Sequence, residues 1–560
     1  MTNKPSFPAR ATGAGMLLTA FGLVAIPVPM EGAGLVGGTA TAAGVLLGVG
    51  APAYWYHRGR KGAGAMIGKW ERKTARHGGT ASRWDRRKMS SKRAMRKTAR
   101  HLCPSLAGLS FTDFHRLPVR DYAACLGTDN FGGYWVNHES IVVRIAGARS
   151  GKTSAMASRI IDHAGPAVVT STRKDLLLLT AQLRSKRGPL YIFNPAGVGS
   201  IASTLKWSVI NGCTDMSTAE RRAGDMIAPG VGEERETWNA QARRVLAPLL
   251  YAAAHAHLPA RAILAWTTAA GSEAKKAWQQ VTDILAETPE GPAQRENVDQ
   301  FFSMAGSNDR TRSSIVTTLM PALAWLGNPK VSAIGDAQGE DLFDVADLLA
   351  QCGTVYLMGA DSGSTGALTS ALVAEIAYRA AKLAEDAPGG RLDPALLLAL
   401  DEAALVCPGP IPRWSMDMGG RGILLDIAVQ SRAVMDKFWG EAGRKIILGN
   451  AAVTLVGAGC NDPDELAHWE ALSGLRDQVT EVRNADGEVT STSKTKVPVL
   501  AHAEIAKLEA FKAIAFNRGP VTILHTPNAH TRRDVCKAAP FELPTETNYA
   551  AEVAEKEDDQ

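Results

Sequence analysis

The chain has 560 residues, of which 45% are hydrophobic, and a formal charge of +6. This length predicts about two to four folding units. The charge is concentrated in residues 57–100, where sixteen Lys and Arg stand against Glu71 and Asp85; that segment carries +14 and the rest of the chain −8. The seven cysteines include no C-x-x-C pair, which argues against a structural zinc site or a disulfide framework and predicts reduced, cytosolic thiols.

Two uncharged stretches near the N-terminus predict membrane spans. Residues 11–30 and 32–56 contain no charged side chain, and a hydrocarbon core needs about twenty residues. The positive-inside rule predicts that both ends lie in the cytoplasm, with a short outer turn near Glu31, because cations flank the pair of spans at Lys4, Arg10, Arg58, Arg60 and Lys61. The alternative is a signal peptide followed by a Gly/Ala-rich linker.

The basic segment that follows, residues 57–100, is predicted to form short helices with Trp70 and Trp84 between the cations. Its charge fits two partners. The cations could contact anionic lipid headgroups at the membrane surface, or they could bind DNA phosphates. The two roles are compatible, and both stay open.

A phosphate-binding loop is predicted directly after an apolar strand at 141–146. The spacing is G-x-x-x-x-G-K-[ST], with Ala146 in place of the first glycine, and a helical pattern follows at 154–163. In such a loop the amides of 149–152 wrap the phosphates, Lys152 reaches the β and γ oxygens, and the Thr153 hydroxyl holds Mg²⁺. The chain is therefore expected to bind a nucleoside triphosphate through Gly147, Ala148, Arg149, Ser150, Gly151, Lys152, Thr153 and Ser154.

Short apolar strands alternate with helices from about residue 120 onward, which predicts an α/β fold with a parallel sheet. Helical periodicity replaces the strands between 213 and 340, as at 238–257 and 310–326, so an all-α domain is expected to be inserted there. Besides 141–146, the predicted strands are 166–171, 189–193, 353–358, 396–400, 423–429, 452–457 and 521–525.

Two acidic residues end the predicted strand 396–400, where a nucleotide site needs a carboxylate for Mg²⁺ and a base for water. We expect Asp401 to support the metal and Glu402 to orient or deprotonate the attacking water. An apolar run that ends in Asp-Glu is also common as a plain strand terminus. The pairing with the phosphate loop on one sheet favours the catalytic interpretation.

Two further residues are candidates for catalysis. Gln430 ends the strand 423–429 and could sense the γ-phosphate or position water, although a polar residue there could also simply begin a loop. Arg421 is a candidate arginine finger for a neighbouring subunit. A solvated loop charge is the other interpretation of Arg421.

Taken together, these motifs resemble the type IV secretion coupling proteins of the TraG/TraD family. The order and spacing match from about 140 to 460 through residues 146–153, 168–174, 193–195, 400–403, 420–423, 429–431 and 448–450. The resemblance implies a RecA-like P-loop NTPase core with an inserted all-α domain and an N-terminal two-helix transmembrane region. It also implies an ATP- and Mg²⁺-dependent homo-hexamer in the plasma membrane, which passes relaxase-bound DNA to type IV secretion channel components during conjugation.

The resemblance places the family's nucleotide loop on Gly147, Gly151, Lys152 and Thr153, its acidic pair on Asp401 and Glu402, and its glutamine on Gln430. Two departures are evident: Ala146 stands where a glycine is usual, and the turn near Glu31 is too short for a periplasmic domain. The resulting order is a transmembrane hairpin (1–57), a basic juxtamembrane segment (58–120), a nucleotide-binding domain in two parts (121–212 and 341–540) around the all-α domain (213–340), and an acidic tail (541–560).

The tail holds seven acidic residues against Lys556. In this family an acidic C-terminus can recruit a relaxosome protein, and a solvated, disordered end is the alternative. For the whole chain, the alternatives are a motor for another cargo, such as a protein-export ATPase or an FtsK/HerA-like DNA translocase, and a membrane adaptor that does not hydrolyse its nucleotide.

Overall fold

The structure is a computed structural model that describes residues 79–227, 232–304, 309–337, 342–359, 365–484 and 489–545. Within those ranges, no helix combines the length and the hydrophobicity that a bilayer crossing requires. The two expected membrane spans, the first part of the basic segment and the end of the acidic tail lie outside the described residues.

Thirteen strands occur in the described residues, and eleven of them form one sheet with the order β2-β1-β13-β12-β9-β3-β8-β7-β4-β6-β5. The remaining two, β10 and β11, form a separate hairpin. The strands are β1 Ala123–Asp129, β2 Gly132–Asn137, β3 Val142–Ile145, β4 Ala167–Ser171, β5 Leu190–Phe193, β6 Thr354–Met358, β7 Leu396–Leu400, β8 Ile423–Val429, β9 Val453–Gly457, β10 Leu475–Arg483, β11 Val489–Pro498, β12 Lys512–Phe516 and β13 Thr522–His525.

The seven strands from β9 to β5 are parallel, as the alternating pattern predicts. The sequence predicted all seven of these strands, and β13 as well, with each end correct to within one residue. The sheet is not parallel throughout, however, because β12 pairs antiparallel with both β9 and β13, and β1 pairs antiparallel with β13 and β2. The prediction of a parallel sheet therefore holds for these seven strands, and the antiparallel pairing at this edge was not predicted.

Twenty α-helices accompany the strands in the described residues. They are α1 Arg83–Met89, α2 Lys92–Leu102, α3 Phe111–Arg116, α4 Lys152–Asp162, α5 Asp175–Arg184, α6 Met216–Met226, α7 Glu233–His255, α8 Arg261–Thr268, α9 Gly271–Ala286, α10 Gly291–Ser303, α11 Asp309–Leu323, α12 Pro329–Gly335, α13 Val345–Ala350, α14 Gly366–Asp386, α15 Ala403–Val406, α16 Ile411–Asp417, α17 Arg432–Asn450, α18 Pro463–Ser473, α19 His502–Ala506 and α20 Arg533–Lys537.

Helices cover the parallel strands, and six of the seven strands are buried along their whole length. Every residue of β3, β4, β6, β7, β8 and β9 is buried. Burial on both faces is typical of parallel sheets and explains why these strands are continuous apolar runs rather than alternating patterns. One core cluster joins Met156 and Ile160 of α4, Leu176 and Leu177 of α5, and Leu397 of β7.

The chain between β5 and β6 forms α6 to α13. A buried carboxylate ties this helical region to α14: Glu375 accepts from Arg221 at 2.6 Å and from Arg222 at 2.8 Å, both on α6. Burial alone would raise the pKa of Glu375, but the two arginines outweigh it and lower the pKa to about 2. The carboxylate is therefore ionised at any physiological pH.

A second buried carboxylate, Asp426 of β8, joins three elements of the sheet core. It accepts two hydrogen bonds from Arg144 of β3, at 2.7 and 2.9 Å, and one from Arg159 of α4 at 2.8 Å. All three side chains are at most 5% exposed. Although burial opposes it, the pair of guanidinium groups holds the pKa of Asp426 below its usual range.

The β10–β11 hairpin belongs to a separate compact unit. Its register runs from Leu475 opposite Pro498 to Arg483 opposite Val489. At its base, Gly79 lies against Arg476 and Val499. These two strands are not apolar runs, and so the sequence pattern does not predict them, because most of their residues are polar and exposed.

We expect Asp426→Ala to destabilise the fold strongly, because it leaves two buried guanidinium groups without their carboxylate. Removing one partner of a buried ion pair costs about 3–5 kcal/mol. Urea denaturation of the purified chain measures this change. Glu273→Ala is the control: it breaks an exposed pair with Lys276 and is expected to leave stability nearly unchanged. Equal effects of the two substitutions would contradict the structural role of Asp426.

Candidate functional site

The predicted phosphate loop lies at the carboxyl edge of the parallel strands, in the middle of the sheet. It leaves β3 between β8 and β9, and its first two amides hold it to both neighbours. Ala146 N donates to Val429 O at 3.2 Å, and Gly147 N donates to Ala458 O at 3.0 Å. The loop is thereby fixed at the point where the adjacent strands also end.

Two glycines of the loop are required by its surroundings. A Cβ at Gly147 would lie 3.0 Å from the carbonyl oxygen of Gly459. Gly151 has φ +91°, and a Cβ there would lie 2.6 Å from the Phe511 ring. Ala146 is not among the residues with positive φ, so alanine is accommodated at the position where the family has glycine.

The loop leads directly into α4, whose N-terminus points its first amides toward the space inside the loop. Arg149 has φ +59°, Gly151 is left-handed as well, and the helix begins at Lys152. Successive amides in such a turn, together with the helix N-terminus, form an anion-binding concavity. Ala148 and Arg149 are exposed at the tip, whereas Ser150 is buried. Residues 147–154 could therefore hold a polyphosphate.

The acidic pair meets the loop, because β7 and β8 end beside it. Lys152 Nζ lies 3.1 Å from Glu402 Oε1. Thr153 Oγ1 donates to Asp401 Oδ2 at 2.8 Å. Gln430, at the end of β8, donates from Nε2 to Glu402 Oε2 at 3.3 Å. The five residues thus form two hydrogen-bonded sets that lie side by side, Lys152–Glu402–Gln430 and Thr153–Asp401.

Asp401 has the environment of a metal ligand. Its carboxylate is buried, and Oδ1 has no hydrogen-bond partner among the described residues. Burial raises the pKa of Asp401 to about 6, against the opposing effects of Lys152 and Thr153. A cation beside Oδ1 would satisfy that oxygen and favour the ionised form. Mg²⁺ in such sites takes one or two carboxylates together with substrate phosphates, so Asp401 and Thr153 fit it.

Glu402 is held in an uncommon backbone conformation. Its φ of 48° and ψ of 44° lie in the left-handed region, immediately before α15. This conformation costs a residue other than glycine roughly 1–3 kcal/mol, and it persists where the surroundings enforce it. Here Leu405 and Val406 both donate to the Glu402 carbonyl. The turn directs the carboxylate toward Lys152 and Gln430 instead of along the strand.

Two residues that support the loop were missed by the sequence analysis. Phe511 N donates to Ser150 O at 2.9 Å while its ring packs on Gly151. Asn528 Oδ1 accepts from the Ser154 hydroxyl at 3.0 Å, and that hydroxyl accepts from Ala529 N at 2.8 Å. Ser154 therefore anchors the C-terminal segment. No motif marks Phe511 or Asn528, since their role depends on long-range packing.

Arg421 lies away from this group. It precedes β8, whereas Gln430 follows that strand, and seven residues of strand span roughly 20 Å. The Arg421 guanidinium binds Glu385 at 2.7 Å and also lies 3.5 Å from Asp417. Within one chain, the structure does not bring Arg421 to the phosphate loop.

Comparison with known proteins identifies the architecture. Residues 111–525 match the family model described as type IV secretory system conjugative DNA transfer. An unbound form of the bacterial conjugative coupling protein TrwBΔN70 is 17% identical, with a TM-score of 0.54 over 70% of this chain and 84% of that chain. Plasmid coupling protein TrwB is 15% identical in its complex with the ATP analogue ADPNP (TM-score 0.52, 73% and 87% covered).

A further structure, TrwB with ADP and Mg²⁺, is 16% identical with a TM-score of 0.52, covering 70% of this chain and 86% of that one. At these identities the similarity establishes a shared fold: an α/β architecture around a large parallel sheet. No curated protein sequence matches the chain significantly.

The raised pKa of Asp401 predicts a pH-dependent cost to stability. The folded chain disfavours ionisation of this carboxyl, so its contribution to stability falls as the pH rises from about 4 to about 6. We expect Asp401→Asn to remove this cost and to stabilise the chain by about 1–3 kcal/mol at pH 7.5 in buffer without Mg²⁺. Denaturant unfolding at pH 4 and pH 7.5 measures the difference. If Asp401→Asn changed the free energy of unfolding by the same amount at both pH values, the raised pKa of Asp401 would be contradicted.

Proposed function

This chain belongs to the type IV secretory system conjugative DNA transfer family, and on that basis we propose that it is the ATPase that drives relaxase-bound DNA into a type IV secretion channel. One observation carries the proposal: two hydrogen-bonded sets, Lys152–Glu402–Gln430 and Thr153–Asp401, lie side by side at the carboxyl edge of the sheet. Family membership favours conjugative DNA as cargo over protein export or chromosome translocation. The acidic pair favours hydrolysis over a purely structural use of nucleotide.

In the proposed reaction, each residue has one task. Lys152 binds the β and γ oxygens of ATP, and Thr153 and Asp401 hold Mg²⁺, which neutralises charge on the phosphates. Glu402 accepts a proton from the attacking water or orients it, and Gln430 reports whether the γ-phosphate is present. A γ-phosphate on the loop would compete with Glu402 for the Lys152 ammonium. That competition would free the carboxylate to meet water. The TrwB complexes with an ATP analogue and with ADP and Mg²⁺ support these cofactors.

We propose that the working assembly is a homo-hexameric ring, in which each nucleotide site is completed by a neighbour. Arg421 is the candidate for the contributed residue, because it lies at the end of β8 opposite to Gln430 and is one-third exposed. To act in a neighbouring site it must leave Glu385 and Asp417. An isolated chain is therefore expected to bind ATP but to hydrolyse it poorly.

We propose a two-pass position in the plasma membrane, with the ATPase in the cytoplasm. The supporting features are the uncharged stretches 11–30 and 32–56 and the cations beside them. In the described part of the basic segment, Trp84 is exposed on α1, and seven exposed cations lie on α1 and α2: Arg83, Arg87, Lys88, Lys92, Arg93, Lys97 and Arg100. They are available to lipid headgroups or to DNA. The acidic tail remains a candidate contact for relaxosome proteins.

Lys152→Ala is expected to lower ATP affinity and DNA-stimulated hydrolysis by at least about 100-fold, because it removes the cation that faces the phosphates. Nucleotide binding and phosphate release from the purified chain measure both effects. Plasmid transfer should fail when the variant is in the donor and proceed when it is in the recipient. Lys276→Ala, an exposed lysine, is the control. Normal transfer from donors that carry Lys152→Ala would refute the motor function.

Arg421→Ala is expected to lower hydrolysis by about 10³-fold or more if this residue acts in the neighbouring site. A mixture with Lys152→Ala chains should regain part of the activity, since one chain supplies the loop and the other the arginine. A mixture of Lys152→Ala with the double variant Lys152→Ala/Arg421→Ala is the control and should stay inactive. Absence of recovery in rings shown to contain both single variants would rule out action in trans.

A further inference from the structure

The β10–β11 hairpin exposes apolar side chains that need a cover. Its exposed hydrophobic residues include Leu475 (64% exposed), Val479 (46%), Val482 (56%) and Val489 (45%). On β11, all residues from Val489 to Lys496 are exposed. An isolated two-stranded ribbon is at best marginally stable in water. A ribbon with this surface is therefore expected to bind another segment of protein.

Its charge argues against nucleic acid or anionic lipid as the partner. Residues 475–498 carry four basic and four acidic side chains, so the net charge is zero; they are Arg476, Arg483, Lys494 and Lys496 against Asp477, Glu481, Asp486 and Glu488. Binding to phosphates depends on a local excess of cations. The outer half of the hairpin, residues 479–492, carries a net charge of −2, and this region would repel both polyanions.

The chain that precedes Gly79 reaches the base of this hairpin. A Cβ at Gly79 would lie 3.2 Å from Arg476 Cδ and 3.3 Å from the Val499 methyl groups, and Gly79 and Thr80 are buried. Residues 57–78, which lie outside the described residues, therefore start from this point. Twenty-two residues can extend over roughly 70 Å, whereas the nine residues of β10 span roughly 30 Å. The segment is long enough to follow the whole hairpin.

Residues 57–78 also have the complementary composition. They contain seven Lys and Arg against Glu71, a net charge of +6, and the apolar side chains of Met66, Ile67 and Trp70. The cations match the acidic outer half of the hairpin, and the apolar residues match Leu475 and Val479, which share one face of β10 because side chains alternate along a strand. We propose that residues 57–78 lie along the β10–β11 hairpin of the same chain and form its missing cover.

The hairpin would then connect the N-terminal region mechanically to the rest of its unit. The hairpin would clamp the segment that follows the second uncharged stretch, and so would hold the N-terminal region to the described unit that contains β10 and β11. Such a clamp does not depend on ATP hydrolysis. Its failure can therefore be told apart from a failure of the proposed ATPase function, which has its own readout.

Hydrogen exchange on the full-length chain in lipid nanodiscs tests the clamp. Amides of residues 57–78 should exchange slowly in the wild type and at least tenfold faster in Leu475→Asp/Val479→Asp, which changes two apolar side chains on one face of β10. Leu178→Asp is the matched control, because Leu178 is a comparably exposed apolar residue (44%) on α5, far from the hairpin in sequence; it should leave this exchange unchanged. The proposal is overturned if the amides of 57–78 exchange in the wild type at the rate of an unfolded peptide. It is also overturned if these amides exchange equally fast in the wild type and in the hairpin variant.

Carbodiimide crosslinking of the wild type gives a test that needs no variant. The proposal predicts links from Glu481 or Glu488 to Lys69 or Lys73. Mixing isotope-labelled and unlabelled chains before crosslinking shows whether each link lies within one chain. Links within one chain support the clamp. Links from the hairpin only to other chains would show that a second copy covers it. No links from the hairpin to residues 57–78 or to another chain would show that it is uncovered. Either result overturns the proposal.

Discussion

The position of the phosphate loop depends on one buried carboxylate. Asp426 receives three hydrogen bonds from Arg144 and Arg159, and so joins the strand before the loop, the strand beside it and the helix after it. Desolvation of three charges is costly, and only complementary geometry offsets it. The arrangement therefore favours one relative placement of β3, β8 and α4. Since Gln430 directly follows β8, the same contact fixes the position of Gln430 relative to the loop.

Parallel strands then determine which residues meet. Because β3, β7 and β8 run in one direction, the residues that follow them gather at one edge, which brings Lys152, Glu402 and Gln430 together. The residue that precedes β8, Arg421, lies at the opposite edge for the same reason. One strand thus carries a residue of its own site at one end and a candidate for the neighbour's site at the other.

The sequence predicts most of this sheet because buried parallel strands are continuous apolar runs. It also predicts the candidate site residues that share a fixed spacing, from Gly147 to Thr153, and those that follow a strand. It does not reveal Phe511 or Asn528, which support the loop through contacts about 360 residues or more away in the chain. The β10–β11 hairpin was not predicted for a different reason. Its exposed strands mix apolar residues with polar and charged ones, so they do not form the continuous apolar runs that mark the buried strands.

The central claim is that the acidic pair hydrolyses ATP rather than merely completing a binding site. The most direct measurement is made on Glu402→Gln, with ATP affinity and single-turnover hydrolysis followed in the presence of DNA. The account predicts an affinity within about threefold of the wild type, since Gln keeps the size and one acceptor oxygen, and a hydrolysis rate lowered by about 10² to 10⁴. Hydrolysis at the wild-type rate would contradict the account and leave the nucleotide with a structural role.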